Sequence, residues 1–115
     1  MPFQPIATAY ISWLSLEEGG REKPPSGTIY AATAKFAEQS EEFFSVVLRQ
    51  VPVLKLTFPI QYDLDFFAPE LVVDRLSPGT KLWITEGPRT VAQGEIVSVD
   101  AALINKIRSE SKSRV

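Results

Sequence analysis

With neither histidine nor cysteine among its 115 residues, the chain must build any reactive site from carboxylates, cations, hydroxyls and amides. That excludes thiol and imidazole nucleophiles, Cys/His zinc centres, disulfide scaffolds and histidine pH switches. Asp63 and Asp65 stand two residues apart, the spacing that opens a calcium loop. Such a loop also needs further oxygen ligands at fixed offsets, a glycine at its sixth position and a closing glutamate. Phe66, Phe67 and Ala68 occupy that stretch instead, so no metal is expected. As a general acid–base pair the two aspartates have no nucleophile nearby. A Gly-rich phosphate loop of the Walker type is absent, which argues against nucleotide binding and hydrolysis. No catalytic constellation emerges, and the chain is expected to be neither an enzyme nor a cofactor carrier.

Binding chemistry is better represented. Arg21 with Glu17 and Glu18 reads either as a ligand-binding rim or as a solvated loop whose ion pairs are each worth about 0–1 kcal/mol. Glu86 and Arg89 flank Gly87-Pro88, a pair that hairpin geometry explains by itself. Tyr62, Phe66 and Phe67 lie in an acidic stretch bounded by Pro59 and Pro69. Rings in such a setting either plug a barrel end or form a protein-binding patch, and one of the two phenylalanines is expected to be buried and the other exposed. Twelve Lys and Arg against fourteen Asp and Glu give a net charge of −2, unlike a dedicated nucleic-acid binder, which is usually basic. Acids dominate between Lys55 and Arg75, whereas Lys106, Arg108, Lys112 and Arg114 make the end of the chain basic, as a solubilising helix end would be.

The elements that must position these residues have mostly a period of two. Ala7, Ala9, Ile11 and Trp13 alternate with polar neighbours, as in a half-buried strand. A polar loop with Gly19-Gly20 and Pro24-Pro25 follows. Thr28 to Phe36, Phe43 to Leu48, Val53 to Phe58, Thr80 to Thr85 and Thr90 to Val99 read as further strands. Ser77-Pro78-Gly79 and Glu86-Gly87-Pro88-Arg89 have turn chemistry, and Gly94 within a strand marks a bulge or a close backbone approach. Many short strands between turns indicate a closed barrel or a sandwich. Residues 61–74 fit less simply, as a strand-bearing excursion or a short helix under the barrel. After Asp100, a plausible N-cap, Leu103, Ile104 and Ile107 share one helical face, and Ser109 to Val115 are expected to fray. The division is thus a single β domain over 1–100, with a helix and basic tail over 101–115.

Two motifs at opposite ends of that domain carry a family resemblance. The run from Tyr10 to Arg21 (Tyr-Ile-Ser-Trp-Leu-Ser-Leu-Glu-Glu-Gly-Gly-Arg), with Ser26-Gly27, resembles the opening strand and loop of the C-terminal barrel of elongation factor Tu. The run from Ile84 to Val97 (Ile-Thr-Glu-Gly-Pro-Arg-Thr-Val-Ala-Gln-Gly-Glu-Ile-Val) is similar to that barrel's final hairpin. The resemblance implies an all-β, six-stranded antiparallel closed barrel, with 61–76 as an acidic, aromatic insertion. In the family this barrel touches the T-stem of aminoacyl-tRNA, and Glu86, Gly87 and Arg21 match three such positions. The arginine–proline–glutamine stretch that follows in the family is replaced here by Thr28 to Ala32, so most of the tRNA chemistry is not carried over.

The functional expectation is a non-catalytic module acting by contact with a protein partner, its candidate surface drawn from Arg21, Glu86, Gly87, Tyr62, Phe66 and Phe67. A translation accessory that binds tRNA, and an inhibitor or immunity-type protein, are the alternatives. The start of the chain shows no basic signal region and no apolar run long enough to span a membrane, so a bacterial cytoplasmic location is expected.

Overall fold

Alternation of apolar and polar residues becomes, in the computed structural model, six strands whose apolar sides face one another. Residues 4–15, 17, 29–51 and 60–112 are described. The strands are β1 (Ala7–Trp13), β2 (Ile29–Lys35), β3 (Phe44–Gln50), β4 (Ile60–Phe66), β5 (Lys81–Glu86) and β6 (Arg89–Val99), followed by helix α1 (Ala101–Lys112). All neighbours are antiparallel, and the order β1-β4-β3-β2-β5-β6 closes on itself, because β6 pairs with β1. The succession β2-β3-β4 with β1 returning beside β4 is a Greek key. Closure gives every strand a neighbour on both sides, with the β2–β5 seam paired only over Thr33 to Lys35.

The inner face is filled as the period-two reading requires. Ala9, Ile11, Ala34, Leu48, Leu64, Leu82, Ile84 and Ile96 are all fully buried. Gly94 sits on this inner face opposite Ile11 and Leu82. A Cβ there would lie 2.7 Å from Ile11 Cδ1 and 3.1 Å from Leu82 Cδ2, so the glycine marks a close approach rather than a bulge. The irregularities of β6 fall elsewhere. Its register slips where Thr8 and Ala9 pair with Ser98 and Ile96, and where Ile84 and Thr85 pair with Ala92 and Thr90. The second slip explains how consecutive Val91 and Ala92 are both buried.

The stretch 61–76, expected as an insertion, supplies one wall of the barrel. Ile60 to Phe66 is β4, paired to β1 on one side and β3 on the other. Tyr62, Leu64 and Phe66 point inward, which turns Asp63 and Asp65 outward; the acids are the solvent side of a barrel strand. Beyond it, two 3-10 turns, Pro69–Leu71 and Val73–Arg75, cross the barrel mouth and bury Val72 and Val73. Both sequence alternatives, strand and short helix, are therefore used in succession. The strand read at Val53 to Phe58 falls outside the described residues.

The turns use the expected residues. Thr80 N–H donates to Ser77 O at 3.0 Å around Pro78 and Gly79, whose φ of +92° fits the third position of a type II turn. Gly87, at φ +60°, opens the two-residue β5–β6 hairpin ahead of Pro88. At the start of α1 the Asp100 carboxylate accepts the Leu103 N–H at 3.0 Å, a standard N-cap. Ile104 is buried, and Leu103 and Ile107 pack partly against the core. The helix runs to Lys112, so much of the stretch expected to fray is helical.

Candidate functional site

The antiparallel order gives the barrel two chemically different ends. At one end β1, β3 and β5 finish while β2, β4 and β6 begin. Here Trp13 makes edge contacts with Tyr30 at 5.5 Å and Tyr62 at 6.1 Å between ring centroids. Its indole N–H donates to the Tyr62 hydroxyl at 3.2 Å, so Tyr62 is a buried plug residue. The Tyr30 hydroxyl donates to the Glu86 carboxylate, which also receives Arg89 Nη2 at 3.3 Å. Glu86 is thus engaged in holding the β5–β6 hairpin to β2. Gly87 is exposed at the hairpin tip. Arg21 lies outside the described residues.

The opposite end gathers phenylalanines. Phe36, Phe44 and Phe66 point into the mouth and touch, with Phe36 5.8 Å from Phe44 and 6.0 Å from Phe66. The Arg75 guanidinium lies over Phe44 at 5.2 Å and Phe36 at 5.9 Å, and its Nη2 meets Glu42 Oε1 at 3.1 Å. Arg75 therefore closes the cluster as a lid, its cation held by ring faces and a carboxylate. Outside this closed mouth, Phe67 N–H donates to Ser45 O at 3.1 Å, which carries the β3–β4 ladder one step past Phe66. That step places Phe67 on the outer face. Phe67 and Phe43 are exposed, at 67% and 47%, and Leu71 in the first 3-10 turn is 61% exposed. The Lys35 ammonium covers part of Phe43 at 5.8 Å.

The nominated residues are consequently divided. Tyr62, Glu86 and Gly87 belong to the tryptophan end, Phe66 and Phe67 to the phenylalanine end. Phe66 is buried and Phe67 exposed, the split expected for that pair. Asp63 and Asp65 are taken up separately, Asp63 by Arg49 Nη2 at 3.0 Å and Asp65 by Gln4 N–H at 2.9 Å. Sequence reading overlooked Phe43, Leu71 and Arg75. A signal for Phe43 was present: Phe43-Phe44, like Phe66-Phe67, is an adjacent pair that alternation must split between the two faces of the wall.

A groove of about 310 Å³ lies on the outer wall over β5, β6 and β1, lined among others by Tyr10, Ser12, Trp83, Gln93 and Glu95. Among the described residues, no helix is long and apolar enough to cross a membrane. A search against protein-family models and against curated proteins found no match to the chain.

Proposed function

We propose that this chain is a barrel of the elongation factor Tu C-terminal kind and works as a non-catalytic interaction module, through protein–protein contact. The observation that carries this reading is the exposure of Phe43, Phe67 and Leu71 outside a barrel mouth that Phe36, Phe44, Phe66 and Arg75 already close. Rings that closure does not need, left in water beside a rigid wall, are the anchors that protein interfaces favour. A tRNA-binding role is less well supported. Glu86, one of the three positions that match the family's tRNA contacts, is already occupied by Tyr30 and Arg89.

The test is affinity capture from native cell extract with the wild-type chain and a Phe67→Ser, Leu71→Ser double variant. The expected result is a protein recovered in stoichiometric amount by the wild type and lost with the variant. Recovery of none across several growth states, or salt-sensitive retention of tRNA instead, overturns the reading.

A further inference from the structure

We infer that the phenylalanine end is an acidic docking face for a protein segment that presents apolar side chains between lysines or arginines. This rests on the interaction-module reading above and adds the chemistry of the partner. Three cations at this end are already committed, while Lys106, exposed on α1 where the helix packs on the 3-10 turns, has no carboxylate within ion-pair distance among the described residues. Lys35 Nζ donates to the Glu38 carbonyl and covers Phe43, and Arg75 is shared between Glu42 and the Phe36 and Phe44 rings. Arg108, reaching over from α1, pairs with Asp74 at 3.1 Å. Glu38, Glu41 and Glu70 remain exposed, with no cation within ion-pair distance among the described residues.

Glu41 lies two residues before Phe43, and Glu70 is flanked by Pro69 and Leu71 in the first 3-10 turn, so uncompensated negative charge borders the exposed apolar groups. A partner lysine or arginine seated there would meet a carboxylate while its neighbours cover exposed apolar groups. The protein makes a related combination internally with Arg75, Glu42 and Phe44. Apolar side chains between those cations would cover Phe67 and Leu71.

Fluorescence anisotropy with two labelled amphipathic peptides of equal length, one of leucine and lysine and one of leucine and glutamate, tests the assignment. The lysine probe should bind at least about tenfold more tightly than the glutamate probe, and less tightly as salt rises. Phe67→Ser should weaken the lysine probe by about tenfold or more with an unchanged urea melt. A Glu41→Gln, Glu70→Gln double variant should weaken it and flatten the salt dependence, while Glu95→Gln on the outer wall of β6 should change nothing. Equal binding of both probes, indifference to Phe67→Ser, or Phe67-dependent binding to phosphatidylglycerol vesicles overturns the inference. So does a concentration-dependent dimer abolished by Phe67→Ser, which would give the face to a second copy. Should the lysine probe fail while extract capture still depends on Phe67 and Leu71, the charge assignment falls alone; failure of both removes the interaction module as well.

Discussion

Because successive strand residues point to opposite faces, Phe66 lies inside the barrel against Phe36 and Phe67 lies outside it. Removing the inner ring loses its burial and leaves a cavity, so Phe66→Ala should cost about 3–5 kcal/mol in a urea melt. Phe67→Ser takes away a side chain that is mostly in water and should move the same melt by no more than about 0.5 kcal/mol. A comparable loss at both positions would mean that Phe67 also belongs to the core. Gly94 gives the opposite kind of test, of space rather than of contact. Gly94→Ala must displace Ile11 Cδ1 and Leu82 Cδ2 in a closed wall, and overpacking of this kind costs about 1–3 kcal/mol. A variant as stable as wild type would show that these side chains can give way freely.

Among the elements, β2 and β5 make the shortest ladder, with three residue pairs from Thr33↔Thr85 to Lys35↔Trp83. Side chains reinforce it: the Thr33 and Thr85 hydroxyls bond each other, Thr33 Oγ1 donates to Thr85 O at 3.2 Å, and Tyr30 bonds Glu86. Thr85 is buried, so Thr85→Val should destabilise by about 1 kcal/mol by leaving its partner under-satisfied, and should raise amide exchange first along β5. Unchanged exchange there would show that the ladder does not depend on the hydroxyl pair. For α1, Asp100→Ala removes the cap on Leu103 N–H and should cost about 1 kcal/mol, read as lost helicity by circular dichroism; an unaltered spectrum would contradict it. The legibility of these elements followed their periodicity. Five strands, both turns and the capped helix were readable, since alternation, Pro-Gly chemistry and an N-cap aspartate act locally. The fourth strand stayed open between strand and short helix, because Pro69 interrupts the stretch and Asp63 and Asp65 make it acidic. Their partners, Arg49 on β3 and the Gln4 N–H, come from other parts of the chain, and such pairing is invisible until the barrel closes. Arg75 was missed for the same reason, since its rings come from β3 and from Phe36 just after β2.

At the scale of the molecule, closure divides the labour between the two ends. The Trp13, Tyr30 and Tyr62 end satisfies its polar atoms inwardly, through the indole–phenol and phenol–carboxylate bonds. The other end seals its mouth with three rings and an arginine, then leaves Phe43, Phe67 and Leu71 outside the seal. One chain thus combines a closed core with exposed apolar groups outside it, and Glu86 and Gly87, two of the three nominated tRNA-type positions, are already used for structure at the first end. The most direct measurement is photo-crosslinking in living cells from a photoreactive amino acid placed at position 67, with position 93 on the outer wall of β6 as the comparison. The account predicts a discrete protein adduct from position 67, absent from position 93 and diminished when Leu71→Ser is added. Equal adducts from both positions, or an RNA adduct from position 67, would contradict it.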